Sequence, residues 1–263
     1  MKYSMKAILA ALLILVTGYA QAKPNPVKLA KNAKGKKILF VVTSHSELGN
    51  TGKKTGLWIE EFAAPYYALV DEGYEVTIAS PKGGQAPIDP KSETADFSTG
   101  ATKRYYSDKA TQSKLSHTVK LSAENQKNYA AVFYPGGHGP MWDLSEDKNS
   151  AKLIESFYNN NKPIAFVCHA PVALKNVVTK DGEPLIKGKK VAAFTNTEEA
   201  AAQLTQVVPF SLEDMLISKG ANYVKGEDWK PFTTTDGLLI TGQNPASSIF
   251  VAQELMKMLD SSK

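Results

Sequence analysis

The chain has 263 residues, 43% of them hydrophobic and 22% charged, with a formal net charge of +5. That balance excludes a disordered or fibrous chain and supplies material for one sizeable core. The lysines are interleaved with acids rather than gathered in a stripe, which argues against nucleic-acid binding. A single cysteine, Cys168, excludes an internal disulfide.

The first 22 residues have the form of a secretory signal peptide: a basic start from Met1 to Lys6, an apolar run from Ala7 to Val16, and a small-x-small site at Ala20-Gln21-Ala22. Cleavage after Ala22 would give an exported protein, periplasmic or secreted. No stable membrane association is expected after cleavage, because the apolar run is shorter than the about 20 residues a span needs. Residues 23–36 read as a tether and 37–263 as a single domain.

Lys37 to Ser44 is a continuous apolar run of the kind that fills a buried parallel strand. Leu57 to Glu72 has helical spacing, and Glu75 to Ala79 is the next strand, closed by Ser80-Pro81-Lys82-Gly83-Gly84. Residues 87–128 are polar without a clear period, and a segment of that length in a compact domain reads as a small inserted cover subdomain. Ala130 to Tyr134, Pro163 to Val167 and Val191 to Phe194 repeat the strand signal, with a helix near Ser150 to Asn160. Ser211 and Asp214 predict a capping box for a helix reaching Lys219. Thr233 to Thr241 reads as a hairpin turning at Asp236-Gly237, and Ala246 to Leu259 as a final amphipathic helix. Strands alternating with helices predict an α/β fold, a doubly wound, mostly parallel sheet with helices on both faces.

Ligands of such sheets bind beyond the carboxyl ends of the strands. Three unusual segments fall there: Ser44-His45-Ser46-Glu47, Gly136-Gly137-His138-Gly139-Pro140, and Cys168-His169-Ala170-Pro171. The last has the form strand, nucleophile, helix, and a helix N-terminus after Cys168 is expected to lower the thiol pKa. The plainer alternative is a buried cysteine packing as a small hydrophobe. Gly136-Gly137 can aim backbone N–H groups at an oxyanion, although double glycines also serve plain turns. On the first helix, Glu61 shares a face with Trp58 and Pro65, whereas Glu60 lies on a neighbouring face. A carboxyl group held near apolar side chains can serve as a general acid or base, the alternative being two solvated glutamates.

These segments resemble the PfpI or type 1 glutamine-amidotransferase-like superfamily, above all its glyoxalase III and heat-shock chaperone branch. The resemblance rests on Lys54-Thr55-Gly56 with Glu61 and Pro65, the run from Ala79 to Gly84, Tyr134 to Asp143, Val167 to Pro171, and Thr241 to Ser247. It implies a flavodoxin-like sandwich and a homodimer, with the nucleophile on Cys168, the partner histidine on His169 and the helix acid on Glu61 rather than Glu60. The acid orienting the histidine falls on Glu199, with Glu198 the alternative. The implied reaction is glutathione-independent glyoxalase chemistry on methylglyoxal or a similar small 2-oxoaldehyde. Cys168 would form a hemithioacetal, Gly136, Gly137 and His138 would border the oxyanion and substrate, and Glu61 or His169 would move the proton. No metal or cofactor is expected, since phosphate-loop and zinc-ligand spacings are missing.

A stress-related holdase chaperone, a protein deglycase and a thiol sensor are the other readings the resemblance allows. Cysteine peptidase and amidotransferase activity rank lower. The chain has four histidines and none after His169, so the downstream His-x-Glu pair of the superfamily's glutaminases is missing.

Overall fold

The computed structural model describes Ala33 and residues 35–261; the segment read as a signal peptide and most of the tether lie outside the described residues. The first apolar run forms β1 (Lys37–Val41) and leads through a loop into α1 (Ile59–Asp71). Next come β2 (Glu75–Ser80), α2 (Gly100–Ser107), α3 (Lys109–Ser116), β3 (Val119–Lys120) and β4 (Ala131–Tyr134). The second half contains α4 (Lys148–Asn159), β5 (Ile164–Val167), β6 (Lys190–Val191), α5 (Asn196–Ala201), α6 (Leu212–Ser218) and β7 (Asn222–Tyr223). The chain closes with β8 (Thr233–Asp236), β9 (Leu239–Gly242) and α7 (Ser248–Ser261).

Seven strands form one sheet in the order β3-β2-β1-β4-β5-β9-β8. All neighbours are parallel except β8, which turns back on β9 as the expected hairpin, Asp236 paired with Leu239. Strand order reverses between β1 and β4, the switch point at which doubly wound sheets open a crevice. The central strands β1, β4, β5 and β9 are buried nearly throughout, which is why they read as unbroken apolar runs instead of alternating ones. Phe40 and Phe133 stack between neighbouring strands at 4.8 Å, and Phe62 of α1 meets Phe40 edge-on.

The structure departs from the sequence reading at several places. Val191 to Phe194 does not join the main sheet: only Lys190–Val191 is a strand, paired with β7 in a separate two-stranded sheet. Residues 87–128 are not irregular, because Thr99 and Asp108 cap two consecutive helices, α2 and α3. Their short length hides any period, and β3 then extends the main sheet beside β2. Ser211 caps α6 by accepting the Asp214 N–H, but the Asp214 carboxylate accepts from Asn196 instead of closing a box.

Candidate active site

β5 delivers Cys168 into a left-handed turn, with φ +61° at a side chain that carries a Cβ. Such a conformation costs about 1–3 kcal/mol and persists only where its surroundings fix it. Both backbone groups of Cys168 are held: its N–H donates to Gly242 O at 2.9 Å, and its carbonyl accepts the Phe194 N–H at 3.0 Å. A single 3₁₀ stretch, Ala170–Leu174, follows with Pro171 in its first turn.

The thiol meets two titratable groups. His169 Nδ1 lies 3.2 Å from Cys168 Sγ, and the imidazole is fully buried. On the other side stands Glu61, also fully buried. One carboxyl oxygen of Glu61 accepts the Gly136 N–H at 2.8 Å; the other, Oε1, is buried without a hydrogen-bond partner, and the carboxyl group as a whole interacts with the thiol. Glu60 points elsewhere and accepts the Thr99 hydroxyl at the start of α2. Within α1, Pro65 removes the N–H that would otherwise bond the Glu61 carbonyl.

Burial raises the Glu61 pKa to about 8 against the opposing pull of the Cys168 thiol and the Gly136 N–H. Burial and the Glu61 charge also push the Cys168 thiol up. That corrects the expectation of a thiol acidified by a helix N-terminus: the following turn is only a short 3₁₀ segment, and desolvation beside a carboxyl outweighs it. Both shifts favour the protonated thiol and the protonated carboxyl over a preformed thiolate.

Glu199 answers the question left open by its neighbour. Its Oε2 meets His169 Nε2 at 2.7 Å and its Oε1 meets His138 Nε2 at 2.8 Å, so one carboxylate bridges both rings. Burial opposes its ionisation, but the two histidines outweigh it and hold the carboxyl well below the usual range. An ionised carboxylate only accepts, so each histidine presents Nε2–H to it. The Nδ1 lone pair of His169 is then left facing the thiol. Desolvation, helped by His138, lowers the His169 pKa.

Glu198 is turned away from the histidines. Its Oε1 accepts from Trp229 N–H at 2.8 Å, Asn244 Nδ2 at 2.8 Å and Gln243 Nε2 at 3.2 Å, while its Oε2 accepts the Thr195 N–H. This web, which joins α5 to the loops around β9, is absent from the sequence reading; only the run Thr241 to Ser247 hinted at it.

Gly136 and Gly137 occupy positions where a side chain would clash with its surroundings. A Cβ on Gly136 would stand 2.8 Å from Glu61 Oε2 and 2.9 Å from the His169 N. Gly137 has φ +85°, and its Cβ would fall 2.4 Å from Gly56 O. The Gly137 N–H favours the charged forms of both Cys168 and Glu61. His45 is not part of this cluster; it stacks on Trp142 at 5.1 Å near the surface.

A cavity of about 770 Å³ opens onto Gly137, His138, Cys168 and His169. Glu61 does not line it and lies behind the lining residues Gly137 and Cys168 with which its carboxyl interacts. His138, His169 and Glu199 place potential metal-ligand atoms within 4.8 Å of one another. Those same atoms already form the two histidine–carboxylate hydrogen bonds. No helix among the described residues is long and apolar enough to cross a membrane.

The chain is 31% identical to glyoxalase 3 of Candida albicans over 84% of its own length and 97% of that protein. It is 30% identical to the glutathione-independent glyoxalase HSP31 of Saccharomyces cerevisiae, over 81% of the chain and 93% of the relative. Among solved structures it superposes on Rapid Encystment Protein 24 kDa of Francisella tularensis with a TM-score of 0.82 and 37% identity, covering 85% and 99% of the two chains. Glyoxalase III of Candida albicans follows at 0.79 and 30%, covering 84% and 96%.

This kinship overturns the expectation of an exported protein cleaved after Ala22, because the relatives matched over nearly their whole length are glyoxalases of yeasts. The signal-peptide reading gains no support, as residues 1–22 lie outside the described residues. The DJ-1/PfpI family model matches residues 56–258, a span that takes in Glu61, the glycine pair, the Cys168 turn and Glu199. The chain belongs to the DJ-1/PfpI family.

Proposed function

We propose that the chain is a glutathione-independent glyoxalase that converts a 2-oxoaldehyde and water to a 2-hydroxy acid, with Cys168 as nucleophile. The observation that carries this reading is the placement of one thiol between the His169 imidazole, 3.2 Å away, and the buried Glu61 carboxyl. Internal redox transfer between adjacent carbons needs a group that takes a proton from one and returns it to the other.

In the first step the Cys168 proton passes to His169 Nδ1 as sulfur bonds to the aldehyde carbon, C1. Backbone N–H groups of Gly137 and His169 receive the developing oxyanion, and Glu61 protonates it to a hemithioacetal hydroxyl. Glu61, now a carboxylate, takes the C1 proton; C1 is one bond from the sulfur this carboxyl already touches. A C1–C2 double bond forms, and the C2 oxygen takes the proton from His169, giving an enediol. Glu61 returns its proton to C2 while the C1 hydroxyl proton goes back to His169, which leaves a thioester. Water then attacks C1, losing its proton to Glu61, and His169 protonates the departing sulfur. Cys168, His169 and Glu61 finish as they began. Glu199 acts throughout by fixing the tautomer of His169 and stabilising its cation.

Methylglyoxal loss and lactate formation, followed without glutathione, test the reading on the wild type and on Cys168→Ala and Glu61→Gln. Turnover by the wild type and its loss in both variants is the expected result. A reduced wild-type protein that leaves methylglyoxal untouched refutes it. A Cys168→Ala protein that still protects a client from aggregation would point instead to the chaperone reading.

A further inference from the structure

Methylglyoxal has five non-hydrogen atoms, a bulk on the order of two or three waters at about 30 Å³ each. The cavity above Cys168 is about 770 Å³, within the range of roughly 300–1,000 Å³ that holds much larger ligands. A molecule the size of methylglyoxal would leave most of that space to water, although the site needs water only at its final step.

The walls have a definite chemistry. Phe194 lies 4.4 Å from the His169 ring and 5.6 Å from Trp229, so an aromatic surface starts at the reacting centre and runs outward. Trp58 and Phe97 form a second pair at 4.8 Å, also in the lining. Trp229 is 48% exposed and Phe97 37%, a large apolar surface for a protein to leave open. Trp229 also adopts φ +62°, a strained conformation for a bulky side chain. Its N–H is fixed by Glu198 Oε1, so the carboxylate that does not serve the histidines serves this wall. Strain held in place by a buried carboxylate implies that the indole position matters.

The rim is charged. The Thr55 hydroxyl donates to Asp89 Oδ2 at 2.8 Å and the Lys91 N–H to Asp89 Oδ1, which draws the loops bearing Lys53 and Lys91 to the same opening. Both carboxyl oxygens of Asp89 are thereby engaged. Lys54 is paired with Glu47, whereas the Lys53 and Lys91 ammonium groups enter none of the ion pairs found among the described residues.

We infer that the substrate class of this site is a 2-oxoaldehyde whose second carbon carries a flat apolar or aromatic body ending in an anion. The aldehyde would reach Cys168, the body would lie along Phe194 and Trp229, and the anion would meet Lys53 and Lys91. The inference rests on the glyoxalase reading, and the chemistry is unchanged: one water is added and the C1 hydrogen moves to C2.

The test compares kcat/KM for methylglyoxal, phenylglyoxal and 4-carboxyphenylglyoxal. Trp229→Ala should lower the phenylglyoxal-to-methylglyoxal ratio about tenfold. The double variant Lys53→Glu/Lys91→Glu should lower the 4-carboxyphenylglyoxal-to-phenylglyoxal ratio by a similar factor, and added salt should erode that ratio in the wild type. The rim variant alters only exposed side chains, so it stands if Trp229→Ala fails to fold. Turnover of all three aldehydes with ratios that neither variant changes overturns the inference alone. No turnover of any aldehyde by the wild type overturns the glyoxalase reading beneath it.

Discussion

Replacing Glu61 by Gln should make folding stability less dependent on pH, and the size of the effect follows from where the carboxyl sits. In the fold Glu61 is buried against Cys168 and ionises near pH 8, against an ordinary value of 4.5. Between those two values the native state keeps a proton that the unfolded chain has released. Wherever the native state binds more protons, stability falls as pH rises, here by up to about 1.4 kcal/mol per pH unit. From pH 5 to pH 8 the wild type should therefore lose on the order of 3–4 kcal/mol through this group. Glutamine keeps an oxygen for the Gly136 N–H, which Glu61 now holds at 2.8 Å, but has no proton to lose. The stability of Glu61→Gln relative to wild type should then climb steadily across the window. Urea denaturation of both proteins at pH 5, 6, 7 and 8 measures it, and taking the difference cancels the titration of groups common to both. Parallel curves for the two proteins would refute the argument, because they would mean that Glu61 is already ionised in the fold.

Two further outcomes follow from the same geometry. Gly137→Ala should cost about 3 kcal/mol or more, since its Cβ would fall 2.4 Å from Gly56 O at φ +85°; a thermal or urea melt reads this, and a loss below about 0.5 kcal/mol would show that the turn yields freely. Glu199→Gln should lower kcat by about 10²–10⁴-fold while moving KM little, because an amide offers one acceptor where two histidines need two; a change confined to KM would assign Glu199 to binding instead.

The sheet was legible because its central strands are buried on both sides and so appear as apolar runs. The Cys168 turn was legible for a related reason. A polar pair, Cys168-His169, directly after such a run and before a proline has few other uses at the carboxyl end of a parallel strand. What stayed hidden is what depends on contacts across the chain. The thiol pKa was misjudged because the sequence shows the turn that follows Cys168, but not the Glu61 carboxyl brought against it from more than 100 residues away. The helices over residues 100–116 were missed because each is eight residues long and owes its start to a Thr or Asp cap.

The Glu198–Glu199 pair shows where sequence reasoning stops. Adjacent residues on a helix differ by about 100° in direction, so one turn sends two like carboxylates to different neighbours, and composition cannot say which goes where. Here the decision comes from α5's own start. Glu198 is the third residue of the helix, where its carboxyl can fold back on the Thr195 N–H and close the cap. That capping geometry commits Glu198 to the loops behind the helix, where Trp229, Gln243 and Asn244 complete its hydrogen bonds. Glu199, one step on, is left facing His138 and His169. The Thr195-x-x-Glu198 spacing was therefore the available signal: a capping box claims its glutamate, and the next acid is the one free to serve the site.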